Sequence, residues 1–454
     1  MSVYLVADLG TSALRAAAID AGGATLAAHS VPLSIAAPAP GAAEADPETW
    51  WAALRDAFAH ILKAAPKPDA ICLTGMTRGQ ILLDAKGVVL RPAILWADTR
   101  AAPLDIAIDN PAVAINPFHA LARIAWVART APDILKRTAK VIEPKDWLNY
   151  RLTGTIGADN VTAARFDAVP AEAPHRGLID LPRIEPWAKI GPVVSIPELA
   201  GVPVFAGAMD TWAGAVGTGV VSPGQAYDVA GTTEQAGMLT ATRAKARGLV
   251  DLPWTPGAFQ AGGPTQAGGD ALAWARDLVA KDLDFDAALA LAATADPANA
   301  PIFVPYLAGE RAPVWRADVR GTLIGLAREH KPADILYAAV EGVALALADI
   351  LAASGAAPSA LRISGGGARS DFWCQVKADI LGIAVERPRE VEAGLLGAAA
   401  CAAFGLGHTP DFATAAARMN PVSRVFRPDL AKAPLYAARR ARYAGAKQYV
   451  LGSG

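Results

Sequence analysis

The stretch VYLVADLGTSALRAAAID, residues 3–20, decides the fold. Two apolar runs, 3–7 and 14–19, flank the turn Asp8-Leu9-Gly10-Thr11-Ser12, and read as two strands of a hairpin. The turn Asp20-Ala21-Gly22-Gly23 leads into a third strand over 24–29. Asp46-Pro47-Glu48 then opens a helix, with Asp46 as N-cap and Pro47 at the first helical position. Trp50, Trp51, Leu54, Phe58, Ile61 and Leu62 supply its apolar stripe. A strand over 70–74 follows, then a hairpin of 81–84 with 88–90 about Ala85-Lys86-Gly87.

Farther along, 116–154 reads as helical, 168–200 as loop with short helices, and 202–206 as a buried strand. That strand ends in Gly207-Ala208-Met209-Asp210, followed by a small-residue helix through 219. The opening pattern then returns: a strand over 225–229, the turn Ala230-Gly231-Thr232-Thr233, and a strand over 235–240. We expect the domain boundary at Val221-Ser222-Pro223-Gly224, giving domains 1–221 and 222–454. Later elements are helices over 270–280 and 332–353, strands over 302–305 and 361–364, and the turn Gly365-Gly366-Gly367-Ala368 before a helix from Asp371. Strands alternating with helices imply α/β layers in both halves.

The 454 residues carry 42 basic and 43 acidic side chains, a net charge of -1, which excludes a nucleic-acid partner held by a basic face. Hydrophobic residues make up 53% and charged residues 19%, too apolar a chain for disorder. Cys72, Cys374 and Cys401 are scattered, which excludes a disulfide scaffold and fits a reducing compartment. Asp8 interrupts the first apolar run and no basic residue precedes it, unlike a signal peptide. The apolar stretch 394–407 is too short to span a bilayer, and the expectation is a soluble cytoplasmic protein. No GxxxxGK[ST], HExxH, GxSxG or EF-hand loop occurs, and the six histidines never fall at metal-ligand spacing. Carboxylates and backbone amides must therefore do the chemistry.

Six places bear on that chemistry. In the first turn, Gly10 permits close backbone approach, and the Thr11 and Ser12 hydroxyls can donate to phosphate oxygens. Asp8 cannot pair with phosphate but can hold a Mg²⁺ that does. Gly231, Thr232 and Thr233 offer the same chemistry from the second half. Both could instead be ordinary hairpin turns. Gly365-Gly366-Gly367 between strand and helix admits a flat group such as adenine, or is a tight connection. Asp210 among small residues suits a general base, or a helix N-cap. Trp96-Ala97-Asp98 and Thr77-Arg78-Gly79 offer stacking and paired hydrogen bonds to a polyhydroxyl ligand; core packing and a solvated charge are the alternatives.

In this order, the motifs resemble the FGGY carbohydrate kinases, of the ribonuclease H-like fold shared by sugar kinases and actin-like ATPases. The resemblance runs over DLGTSALRAAAID (8–20), DPETWW (46–51), LRPAILWADTR (90–100), EPKDWLNYRLTG (143–154) and VPVFAGAMDTWAGAVGTGVV (202–221). It continues through VAGTT (229–233), FVPYLAGERAPVW (303–315), AAVEGVALALADIL (338–351) and ISGGGARSDFWCQVKADILG (363–382). It implies two domains with an active-site cleft between them, and transfer of the γ-phosphoryl of ATP to a sugar or polyol hydroxyl. Asp210 would be the catalytic base and Asp8 would bind Mg²⁺ through water. Thr11, Ser12, Gly231, Thr232 and Thr233 would hold the phosphates, and Gly366 and Gly367, with Ser370 nearby, the adenosine. Trp96 would contact the acceptor.

The wording is closest to xylulokinases, which makes a ketopentose such as D-xylulose the leading acceptor. Three departures bear on that. Thr77-Arg78 stands where xylulokinases carry Met-His, Asp210-Thr211 where they carry Asp-Asn, and Thr233-Glu234 where they carry Ser-Gly after the Gly-Thr. Changed polar groups in a sugar pocket shift specificity strongly. Other acceptors of the same chemistry are ribulose, a deoxyhexulose such as fuculose or rhamnulose, and polyols such as glycerol or erythritol. A non-catalytic actin-like ATP-binding module is the reading from another class. A homodimer follows from the resemblance alone.

Overall fold

In the computed structural model, which describes residues 2–101 and 119–452, the opening hairpin forms as the sequence dictates. Strand β1 (Val3–Leu9) pairs antiparallel with β2 (Ala13–Asp20), and β2 with β3 (Thr25–Pro32). Helix α1 (Pro47–Ile61) follows, its N-cap Asp46 accepting the Glu48 N–H at 3.0 Å. Trp50, Trp51, Leu54, Phe58 and Ile61 are buried, so the apolar stripe faces the sheet. The chain re-enters the sheet as β4 (Ala70–Gly75), parallel to β1. All of β4 is buried, the mark of a central parallel strand covered on both faces.

The expected hairpin over 81–90 is centred on a bridge from Leu83 to Val89. Asp84 builds the turn, accepting the N–H groups of Lys86 and Val88 at 2.8 and 2.9 Å. The Asp84 N–H donates to the Val88 carbonyl at 3.0 Å and the Leu90 N–H to the Leu82 carbonyl at 2.9 Å, so the expected hairpin forms; Ile81–Leu83 pairs on its other side with Lys140–Ile142. Helices α2 (Ala120–Thr130) and α3 (Pro144–Thr153) occupy the region expected to be helical; its start at Asn116 lies outside the described residues. The region 168–200 holds more than loop: β5 (Lys189–Pro192) forms an edge strand, where Pro192 has no ladder to break. β6 (Pro203–Phe205) lies between β5 and β4, and the six-stranded order is β5-β6-β4-β1-β2-β3. Helix α4 (Asp210–Gly217) follows.

The second sheet repeats this plan. β7 (Gln225–Ala230) pairs antiparallel with β8 (Glu234–Thr240), across the turn 231–233. β9 (Val250–Thr255) and β10 (Ala258–Pro264) extend it. Then come helices α5 (Gly269–Val279) and α6 (Pro332–Ala353), and β11 (Ala360–Ser364), parallel to β7 as β4 is to β1. Helix α7 (Asp371–Leu381), β12 (Ala384–Pro388) and β13 (Val422–Phe426) complete the order β9-β10-β8-β7-β11-β12-β13. α6 alone among the described residues is long and apolar enough to cross a membrane, and 78% of its apolar window is buried in the protein, as in a core helix.

Contacts divide the chain into Met1–Ala213 with Gly394–Met419, and Gly214–Ala393 with Asn420–Gly454. The sequence reading divides it once, at 221/222. The returning helices α8 (Gly394–Gly405) and α9 (Phe412–Met419) join the first unit because glycines let α8 approach closely. A Cβ on Gly397 would fall 2.0 Å from the Ala213 carbonyl oxygen, and one on Gly405 2.3 Å from the Phe205 ring.

Candidate functional site

In the first unit, β1, β4 and β6 run parallel, so their C-terminal ends share one edge of the sheet, where open α/β sheets place their ligands. Asp8 stands at the end of β1, opposite Thr74 and Arg15. A Cβ placed on Gly394, the first residue of α8, would lie 3.9 Å from Asp8 Oδ2. Beyond β6 the chain hugs β4. Gly207 has φ 60°, and a Cβ there would fall 1.7 Å from the Leu73 oxygen, so only glycine fits. The Thr74 hydroxyl donates to the Ala208 carbonyl at 2.8 Å, and Gly75 bridges Met209.

This approach delivers Asp210 to the same edge. Its Oδ1 accepts from the Thr211 N–H at 2.6 Å and the Thr211 hydroxyl at 3.3 Å. Burial by the surrounding protein raises the Asp210 carboxyl above its ordinary value, and the two Thr211 bonds oppose the rise. Solvent nevertheless reaches the side chain, and its screening works against that rise.

Thr77 and the exposed Arg78 follow β4 after Met76, Arg78 at φ 59°. Trp96 is 46% exposed, not core, and its indole N–H donates to the Thr11 hydroxyl at 3.2 Å. The structure thus brings Asp8, Thr11, Thr77, Arg78, Trp96 and Asp210 into one unit, and links Trp96 to the first Gly-Thr turn. Asp98 does not join them. It is buried and accepts from Arg100 and from the Ala43 N–H at 3.0 Å, a structural role.

In the second unit the turn Gly231-Thr232-Thr233 is exposed. Its carbonyls accept the first N–H groups of α5: Gly269 N to Gly231 O at 2.9 Å, and Asp270 N to Thr232 O at 3.0 Å. A Cβ on Gly268 would fall 2.6 Å from the Thr232 oxygen. Gly268 and Gly269 are therefore part of the turn's construction. Sequence reasoning misses them, although a Gly pair before a helix start is the signal that could find them.

The three glycines after β11 separate by role. Gly365 has φ 79° and a Cβ there would meet the Ala230 oxygen at 2.6 Å; one on Gly367 would meet the Ala230 Cβ at 2.8 Å. Both pack the turn onto β7. Around Gly366 nothing lies within 4 Å of such a Cβ, so that residue borders open space. Ser370 caps α7, its hydroxyl oxygen accepting the Trp373 N–H at 3.2 Å.

Behind the turn, Lys377 is fully buried between Asp228 and Glu234, at 2.5 Å from Glu234 Oε1. Two carboxylates share one ammonium. Burial, reinforced by Asp228, pushes Glu234 up to about 8 against the opposing pull of Lys377.

Folding also gathers His29, Asp56 and His60, which linear spacing does not reveal. Their imidazoles stack with an interplanar angle of 2° and ring centres 4.1 Å apart. The nitrogen lone pairs then lie in two parallel planes, and the placed rings do not converge on one ion.

Comparison with known proteins joins these observations. The model of the N-terminal domain of the FGGY family of carbohydrate kinases matches residues 3–169, and that of the C-terminal domain residues 226–406. The xylulose kinase of Staphylococcus epidermidis is 31% identical, over 96% of this chain and 94% of its own. The glycerol kinase of Rhodospirillum rubrum is also 31% identical, over 90% and 91%. The crystal structure of xylulose kinase from Rhodospirillum rubrum superposes with a TM-score of 0.89 at 27% identity, covering 98% of both chains. The two α/β units are those of the sugar-kinase and actin-like ATPase fold, and the chain belongs to the FGGY family of carbohydrate kinases, ATP-dependent phosphotransferases acting on sugars.

Proposed function

We propose that this enzyme transfers the γ-phosphoryl group of ATP to a hydroxyl of a ketopentose such as D-xylulose, with Asp210 as general base. The observation that carries the reading is Asp210 at the C-terminal edge of β6, oriented through Thr211 beside the ends of β1 and β4. An ionised carboxylate there can orient the acceptor hydroxyl and take its proton as the bond to phosphorus forms. Phosphoryl transfer asks more of positioning and charge neutralisation than of base strength, so a carboxylate suffices.

In this reading Thr77, Arg78 and Trp96 contact the acceptor. The turns at Thr11-Ser12 and Gly231-Thr232-Thr233 donate to ATP phosphates, and Gly366 borders the adenosine, with Gly367 packing the turn behind it and Ser370 as the cap that fixes the following helix. The donors near Asp8, one hard carboxylate with the Thr11 and Ser12 hydroxyls close in sequence, fit a Mg²⁺ that keeps most of its waters and takes its other ligands from phosphate. That ion would offset charge on the phosphate oxygens.

The glycerol kinase relative, at the same 31% identity over a smaller share of the chain, keeps a polyol acceptor as the second reading. Comparing kcat/KM for D-xylulose and glycerol decides between them. A preference for D-xylulose is expected. A preference for glycerol would replace the acceptor and leave the kinase reading standing.

A further inference from the structure

Arg78 holds a backbone conformation, φ 59°, that side chains with a Cβ disfavour, so something must hold it there. The peptide joining Arg78 to Gly79 is gripped at both ends. Its carbonyl oxygen accepts from Arg123, and its N–H donates to Glu143 Oε2 at 3.2 Å. A cation thus sits on the oxygen and a carboxylate on the N–H, each aligned with the peptide dipole. Gly79 itself must lack a side chain, because a Cβ there would fall 2.5 Å from Pro144.

The same guanidinium reaches a second loop. Arg123 donates to the Trp96 carbonyl at 2.9 Å, the Asp98 carbonyl at 3.2 Å and Gln80 Oε1 at 2.9 Å. Its fork therefore spans the two segments that carry Arg78 and Trp96, and the oxygens it meets are carbonyl and amide oxygens. Burial pulls Arg123 down to about 10, with Asp98 and Glu143 opposing, so it stays charged at neutral pH. Glu143 precedes α3 in the N-cap position without using its side chain as a cap, and its other oxygen pairs with Arg165.

We propose that Arg123 and Glu143 are positioning residues for the acceptor: they fix the Arg78–Gly79 peptide and the Trp96 loop, and so set KM for the sugar rather than the rate of transfer. This rests on the reading of Arg78 and Trp96 as acceptor contacts. Neither side chain of the clamp needs to touch the sugar.

Steady-state kinetics and amide hydrogen exchange on R123Q, R123K and E143Q test it. In R123Q the acceptor KM should rise on the order of tenfold, the scale of losing hydrogen bonds to a charged group, with kcat and the KM for ATP little changed. R123K should fall between, since an ammonium keeps the charge but not the fork. E143Q should also raise the acceptor KM. Exchange should quicken at Gly79 and Gln80, whose amides sit on the held loop. R123K and E143Q keep polar bulk at each position, so the test survives a failure of R123Q to fold. A fall in kcat with KM unchanged would overturn the proposal, since a mere scaffold behaves that way. A wild type that phosphorylates no acceptor would defeat the kinase reading instead; unchanged protection at Gly79 and Gln80 in the variants would then overturn the clamp by itself.

Discussion

Asp210 carries the chemistry in this account, and its surroundings set a sign. The base must be ionised, so kcat/KM falls as pH drops through its pKa, and burial places that acid limb above the ordinary aspartate value. The Thr211 hydroxyl bond opposes the rise. T211V should therefore move the acid limb upward, while the Thr211 N–H still holds the carboxylate. A limb that stays in place or moves down would show that Thr211 does not tune this carboxylate. Asp8, Asp210 and the Gly-Thr turns are legible in the sequence because each stands at a strand end with a chemically telling side chain. Arg123 is not legible. An arginine within the apolar pattern of α2 reads as a solvated charge, and only the fold puts the carbonyls of Arg78 and Trp96 around it. Asp98 misleads the other way: its polar neighbourhood looks like a sugar contact, yet Arg100 and Ala43 consume it.

At the scale of elements, the triple glycine after β11 makes a paired prediction. G366A has room for its methyl and should fold like the wild type while binding ATP more weakly. G367A would press on Ala230 and should lose stability by about 1–3 kcal/mol, the cost of overpacking. Equal melting temperatures for the two would contradict the division of roles. The Lys377 cluster adds a second test. Glu234 is an acid raised from 4.5 to about 8, so the folded state holds a proton that the unfolded state releases across that window. Stability should then fall as pH rises from about 4.5 to 8. In E234Q that slope should flatten; an unchanged slope would mean that the proton sits elsewhere. The paired hairpins and α6 are visible in the sequence because their apolar runs and Gly-Thr turns are clear. β9 and β10 are not, since Pro253, Gly262, Gly263 and Pro264 look like loop residues. In the sheet Gly262 serves close approach, its Cβ position lying 2.2 Å from the Ala236 oxygen.

For the molecule as a whole, the division of the chain is where sequence reading falls short. A Pro-Gly turn at 223–224 looks like a boundary, whereas contacts change hands within α4 and the distant segment Gly394–Met419 returns to the first unit. Such a return leaves no local mark beyond the small residues of α8. Catalysis in this account also needs a divalent ion. Chelation should abolish turnover and Mg²⁺ restore it, and D8N should raise the Mg²⁺ concentration at half-maximal rate by on the order of tenfold, as for residues that hold a metal through its waters. An unchanged requirement in D8N would remove Asp8 from that role. The most direct test of the central claim is acceptor-dependent ADP release by the wild type and D210N, over ketopentoses, deoxyhexuloses, hexoses and polyols. One strong acceptor among the ketopentoses is expected, with a D210N rate lower by about 10²- to 10⁴-fold and ATP still bound. No acceptor-dependent release while ATP binds, or a D210N protein as fast as the wild type, would contradict that claim.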